Sequence, residues 1–231
     1  MQAPTRVAVL ASGGGSNLQA LIDRFQPLPR PAARVELVIA GRPGIGALER
    51  AARVGIPVYV QDPGHDVDTV AEELLAALER HGIDLVVLAG YLRLIPLAVV
   101  ERFHGRMLNI HPALLPAFGG TGMYGLRVHQ AVLDAGVRVT GATVHLVDER
   151  YDAGAILAQW PVPVLPGDTA ESLAARVLEI EHLLLPRVVE AVARGHAELP
   201  ESPAPRAFDL AFHELPAEEA LRWMTVLPSP R

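Results

Sequence analysis

Asn109 and His111 stand two positions apart in the run Asn109-Ile110-His111-Pro112-Ala113-Leu114-Leu115-Pro116. In extended chain that spacing places both side chains on one face, because successive side chains alternate. Pro112 biases His111 toward extended backbone and prevents a helix from starting there, and Pro116 stiffens the exit. A short apolar strand, Met107 to Ile110, thus ends by presenting an amide and an imidazole from a rigid turn, two groups able to hydrogen-bond a substrate. Taken alone, such a histidine is better read as a surface residue at a polar strand end.

A second group lies near the N-terminus. Ser12-Gly13-Gly14-Gly15-Ser16-Asn17-Leu18-Gln19 follows a short apolar run, Arg6 to Ala11. The glycines permit a tight turn and close backbone approach to a ligand. Ser16 with Gln19 has capping-box spacing, so a helix is expected to start here and run to about Phe25. Strand, glycine-rich turn and helix N-terminus together can make an anion site, though the glycines alone fit an ordinary strand–helix turn equally well. Leu18 stands where the dinucleotide fingerprint needs its third glycine. A third group is acidic: Asp148, Glu149 and Asp152 follow an apolar run containing His145, with Asp134 further off. Residue types and spacing leave the choice among these four acids open.

Composition narrows the chemistry. The 231 residues contain no cysteine, which removes thiolate nucleophiles, disulfides and Cys-ligated metals. All twenty basic residues are arginine, so no P-loop, Schiff-base or general-base lysine exists. Phosphate must be held by arginine, backbone N–H groups or hydroxyls. The net charge of −6 does not suit a nucleic-acid surface. No stretch is long and apolar enough to span a membrane, and the first strand leaves no room for a signal peptide. A cytoplasmic protein without nucleic-acid or membrane partners is expected.

The elements that must position these groups alternate. Strands are expected at Arg6–Ala11, Val35–Ala40, Pro57–Val60, Leu85–Ala89, Met107–Ile110, Val139–Val147 and Ala155–Val162. Between them come helices at about Ala47–Val54, Val67–His81, Pro96–Phe103 and Leu126–Leu133. Asp168 with Glu171 is read as a second capping box, opening a helix to about Arg194 that Pro186 bends or breaks. Short, continuously apolar strands alternating with helices imply an α/β fold with a mostly parallel twisted sheet covered on both faces. Ligands of such sheets bind beyond the C-terminal strand ends. The segments 13–17, 90–95 and 109–116 all fall on that rim. Residues 1–195 read as one Rossmann-like domain and 196–231 as a Pro-rich acidic tail, with a helix expected at Ala217–Val226.

The run from Asn109 to Pro116 resembles the signature of the 10-formyltetrahydrofolate-dependent formyltransferases. The Ser12–Gln19 run resembles the phosphate loop of the family's glycinamide ribonucleotide branch, and Thr143-Val144-His145 through Asp152-x-Gly154 resembles a second family signature. The likeness extends over about Arg6 to Gly195. It implies transfer of a formyl group from 10-formyltetrahydrofolate, a co-substrate, to the glycine amine of 5′-phosphoribosylglycinamide in purine biosynthesis, with no metal. It further implies Asn109, His111 and Asp152 as catalytic residues with His145 in support. Gly15, Ser16 and Asn17 would hold the phosphate and Glu181 of the Glu181-His182 pair the ribose. Leu92, Arg93, Leu94 and Ile95, with Asn109, would line the folate site. Negative charge developing on the formyl oxygen calls for donors, assigned to Asn109 and a protonated His111. The amine must lose a proton, assigned to Asp152, whose charge is expected to raise the His111 pKa. Where relatives carry an arginine for the folate tail, residues 61–68 offer His65. A homodimer is compatible with the resemblance.

Rival readings share the sheet. A methionyl-tRNA formyltransferase is expected to carry a tRNA-binding domain, and a formyltetrahydrofolate hydrolase an N-terminal regulatory domain. A non-catalytic nucleotide-binding module would not need Asn109, His111 and Asp152 together.

Overall fold

The computed structural model describes residues 3–195; the tail at 196–231 and its expected helix lie outside them. Strand β1 (Thr5–Ala11) is an interior strand of the sheet. Its residues alternate between two buried faces: Val7, Val9 and Ala11 join one apolar cluster, Ala8 and Leu10 the other. A strand covered on both sides must be apolar at every position, which is why no polar alternation is visible in it.

The chain leaves β1 through α1 (Ser16–Phe25), β2 (Ala33–Ala40), α2 (Gly46–Arg53) and β3 (Val58–Val60). It crosses back by α3 (Val67–Arg80) to β4 (Leu85–Leu88) on the other side of β1, then by α4 (Leu97–Arg102) to β5 (Met107–His111). Helix α5 (Leu126–Asp134), β6 (Val139–Leu146), β7 (Ile156–Pro163) and α6 (Ala170–Ala193) complete the domain. The seven strands lie in the order β3-β2-β1-β4-β5-β6-β7. The pairs from β3 to β5 are parallel, while β6 and β7 add on antiparallel. Helices α1, α2, α5 and α6 contribute to one apolar cluster; α3 and α4 contribute to the other.

The strand order reverses between β1 and β4, and the crevice beyond their ends is where such sheets bind ligands. There the loops after β1 and β4 are tied together: Ser12 N–H donates to Gly90 O at 3.0 Å, and Leu92 N–H donates to Ser12 Oγ at 3.0 Å.

Three local expectations are corrected. Helix α1 starts at Ser16 without a capping box: its N-cap is Gly15, left-handed at φ 72°, with no side-chain bond. Gln19 instead donates to Asp23 and accepts from Arg50. The box opening α6 is Thr169 with Ser172, one residue beyond the expected pair. Asp168 is taken by both terminal nitrogens of Arg176, at 2.7 and 2.8 Å. Pro186 lies inside α6 without breaking it. An internal proline costs about 3 kcal/mol; the neighbouring Leu184, Leu185, Val188 and Val189, all buried in the core, offset it.

Candidate active site

The antiparallel register of β5 and β6 sets Asn109 opposite His145 and His111 opposite Thr143. Opposed residues share a face, so the amide, both imidazoles and the Thr143 hydroxyl project from one side of the sheet. His145 Nδ1 lies 2.7 Å from Leu146 O, an acceptor only, so Nδ1 carries the proton. In the neutral ring Nε2 is then bare, and Asn109 Nδ2 approaches it at 3.0 Å. The same amide nitrogen reaches Asp152 Oδ1 at 3.3 Å. Both amide hydrogens of Asn109 are therefore directed into the cluster rather than toward a substrate.

Asp152 is the acid that the fold brings to this place. Gly120 N–H donates to its Oδ2 at 2.9 Å, His111 Nδ1 stands 3.5 Å from Oδ2, and His145 Nε2 stands 3.5 Å from Oδ1. The other three acids are elsewhere: Asp148 caps its own loop through Arg150 N–H, Asp134 accepts from Gln130, and Glu149 is exposed. Burial opposes the charged form of Asp152. The His145 and His111 rings and the Gly120 N–H outweigh it and hold the carboxyl below its ordinary range.

His111 behaves differently from the sequence-based expectation. Burial, which leaves the residue 3% exposed, disfavours its charge more than Asp152 and the Phe118 carbonyl favour it, so its pKa lies below 6.5. His111 is thus neutral at pH 7 in the free protein. Its Nε2 lies 2.8 Å from Phe118 O and so carries the ring proton. Phe118 and Asp152 are the non-glycine residues with left-handed backbone among those described, at φ 56° and 54°. For a bulky residue such as Phe118 this is strained by roughly 1–2 kcal/mol, a cost that marks a built site.

The glycine-rich turn forms the second part. A Cβ at Gly15 would lie 2.8 Å from Ala47 Cα and Cβ, so both the left-handed backbone and the neighbouring helix demand glycine. The first N–H groups of α1, at Ser16 and Asn17, lack intrahelical acceptors and suit an anion. Asn17 Nδ2 donates to Glu181 Oε2 at 2.6 Å, joining residues from opposite ends of the domain. Burial raises the Glu181 carboxyl to about 7, the Asn17 contact opposing the rise. His182 is turned differently, with Nε2 buried and unpartnered.

Sequence reasoning missed several groups. Arg50 donates to Gly14 O at 2.7 Å and brings a cation to the turn; in a chain without lysine its place in α2, one turn after a glycine-rich loop, was the available clue. His129 is buried on α5 with Nδ1 unpartnered, and burial followed by the nearby His111 lowers its pKa to about 4. The Phe118 and Gly120 contacts come from main chain, which leaves no side-chain signal.

A cavity of about 360 Å³ lies between residues 115–120 and 151–156, with Asp152 in its wall. The expected folate segment does not line it. Leu92 and Leu94 are instead exposed, Ile95 packs into the core, and Arg93 donates weakly to Gly41 O at 3.4 Å. His65 is held by Glu73 at 3.1 Å. Among the described residues no group of three or more His, Cys, Asp or Glu could hold a metal ion, and no helix is long and apolar enough to cross a membrane.

A sequence profile described as formyl transferase matches residues 5–189. The chain belongs to the formyl transferase family. This formyl transferase is 43% identical over 205 residues to the chloroplastic phosphoribosylglycinamide formyltransferase of Arabidopsis thaliana, covering 87% of this chain and 69% of that one. It is 43% identical over 201 residues to the human trifunctional purine biosynthetic protein adenosine-3, covering 85% of this chain but only 19% of that protein. Among solved structures, glycinamide ribonucleotide transformylase 1 of Symbiobacterium toebii superposes with a TM-score of 0.79 at 40% identity, covering 86% of this formyl transferase and 92% of that chain. A formyltetrahydrofolate deformylase of Pseudomonas syringae superposes at 0.76 with 26% identity, covering 86% and 64%.

Proposed function

We propose that this formyl transferase moves a formyl group from 10-formyltetrahydrofolate to the glycine amine of 5′-phosphoribosylglycinamide in purine biosynthesis, in the cytoplasm. The observation that carries the reading is one carboxylate, Asp152, in the wall of a cavity and ringed by Asn109, His111, His145 and the Gly120 N–H. The names of the relatives above supply the substrate class. Residues 1–195 form the catalytic unit, and 196–231 are an appended tail.

The phosphate rests on the N–H groups of Gly15, Ser16 and Asn17, with Arg50 behind the turn supplying charge. Glu181 meets the ribose, and Leu92, Arg93, Leu94 and Ile95 receive part of the folate. The amine nitrogen attacks the formyl carbon, and the carbonyl oxygen takes up negative charge. Asp152 accepts the proton lost by nitrogen, directly or through water. His111, neutral at rest, has a bare Nδ1 facing that carboxylate and shares the proton, so positive charge appears on the ring when the oxyanion is most developed. As Asp152 is neutralised it becomes a poorer acceptor, and the Asn109 amide is released to donate to the oxyanion. The C–N bond to the folate then breaks, and its nitrogen recovers the proton. His145 holds Asn109 throughout.

Water in place of the amine would make the same cluster a hydrolase, the activity named for the Pseudomonas syringae neighbour. The glycine-rich turn at an anion-ready helix end favours a phosphorylated acceptor instead. The test supplies 10-formyltetrahydrofolate with and without phosphoribosylglycinamide, and measures tRNA binding alongside. Deformylation that requires the nucleotide and yields the formylated nucleotide supports the reading. Free formate produced without nucleotide, or tight salt-sensitive tRNA binding, contradicts it.

A further inference from the structure

A polar row crosses three strands beside the candidate centre. His111 on β5 is opposite Thr143 on β6, and Thr143 is opposite Gln159 on β7. Thr143 is fully buried and its hydroxyl is saturated. It donates to Ala113 O at 2.6 Å and accepts from Leu115 N–H at 3.1 Å and from Gln159 Nε2 at 3.0 Å. The second hydrogen of the Gln159 amide goes to Leu115 O at 2.8 Å. A carbonyl only accepts, so the amide orientation is fixed by this contact. Both polar backbone groups of Leu115 are thereby tied to side chains from β6 and β7.

That tie stands in an informative place. Leu115 lies between His111 and the two main-chain groups that reach the centre: Phe118 O, which takes the His111 Nε2 proton, and Gly120 N–H, which donates to Asp152. The segment carrying them has no regular secondary structure to fix it and holds Phe118 in a left-handed conformation. Something outside the segment must hold it there, and besides His111 and Asp152 themselves the Thr143–Gln159 pair grips its backbone, at Ala113 and Leu115.

We propose that Gln159, acting with Thr143, is a positioning residue that clasps the 113–120 segment and so sets Phe118 O and Gly120 N–H against His111 and Asp152. The proposal rests on the assignment of His111 and Asp152 to the reacting centre. Removing the Gln159 amide leaves Leu115 O unpaired and lets the segment shift; misplacement of about 1 Å at such a centre costs on the order of 10²-fold in rate.

The test uses the full chain with ¹⁵N-labelled histidine. In the wild type the His111 Nε2–H, bonded to Phe118 O, is expected to give a ring proton signal protected from water. Gln159→Met is expected to stay folded, lose that protection, and lower kcat on the order of 10–10²-fold with both KM values within about twofold. Thr143→Ser, which keeps the hydroxyl, is expected to retain protected signal and rate. A protected signal with wild-type kcat in Gln159→Met overturns the proposal. Should Gln159→Met fail to fold, Gln159→Glu reads the same contact, because its carboxyl donates only when protonated. Its rate relative to wild type should fall as pH rises, and a pH-independent ratio overturns the proposal. A wild type that transfers no formyl group contradicts the proposed function alone, since the ring proton still reports the clasp.

Discussion

His111 Nε2 lies 2.8 Å from the carbonyl oxygen of Phe118, which leaves Nδ1 as the nitrogen that faces Asp152, 3.5 Å away. A neutral ring bonded in this way is a poor ready-made donor to an oxyanion. It is a proton acceptor aimed at the carboxylate, and it becomes a donor once the reaction delivers a proton.

The first prediction follows from that geometry. Nitrogen NMR of His111 at pH 7 should show the neutral form with the proton on Nε2, and a midpoint below 6.5, because burial outweighs the attraction of Asp152. Asp152→Asn removes that attraction and should lower the midpoint further. A His111 midpoint above 6.5 in the free protein would restore a resting imidazolium and contradict the sequence of proton transfers.

Glu181 gives a prediction about stability. Its folded pKa of about 7 stands above the ordinary value of 4.5, so the folded chain retains a proton that the unfolded chain gives up. Stability is full below about pH 4.5, falls as pH rises toward 7, and is flat above, with a loss on the order of 3 kcal/mol. Glu181→Gln keeps an oxygen for Asn17 and carries no charge. It should melt at a higher temperature than wild type at pH 8 and at the same temperature near pH 4.5, while the nucleotide KM rises if Glu181 meets the ribose as proposed. Equal shifts in melting temperature at both pH values would rule out the ionisation.

Gly15 separates folding from binding. Its φ of 72° and the 2.8 Å approach of Ala47 mean that any side chain strains the turn. Gly15→Ala should therefore cost on the order of 2 kcal/mol in chemical denaturation even without ligand. Arg50→Gln changes charge without that strain, and should raise the nucleotide KM while leaving the folate KM and the denaturation midpoint near wild type. A Gly15→Ala chain of wild-type stability would show that the turn is not held as described.

Much of this architecture was legible. The short apolar runs located every strand of the sheet; for interior strands such as β1 and β4 the reason is burial on both faces, while the edge strands β3 and β7 are partly exposed. The antiparallel turn-back of β6 and β7 was not marked by those runs, since burial leaves the same composition in either direction. Capping was misplaced at both Ser16 and Asp168. Spacing alone cannot tell a cap from a neighbour whose side chain is taken by an arginine, as Asp168 is by Arg176. Asn109 and His111 announced themselves by sharing a strand face. Residue types and spacing did not separate Asp152 from three other acids; the family resemblance singled it out, and its backbone sets it against both histidines. Phe118, Gly120 and Leu115 act through main-chain atoms, which sequence leaves silent. The His111 charge was misjudged because burial of a ring depends on packing from distant segments.

The central claim is that Asp152 and His111 move one proton as a unit. The most direct test is a double-mutant cycle on kcat for formyl transfer to phosphoribosylglycinamide, both substrates saturating, with Asp152→Asn, His111→Ala and the pair. Each single change should lower kcat by a factor on the order of 10²–10⁴ with small effects on either KM, and the double mutant should be little worse than the weaker single one. Losses that multiply, or a near-wild-type Asp152→Asn beside an inactive Asp148→Asn or Glu149→Gln, would contradict it.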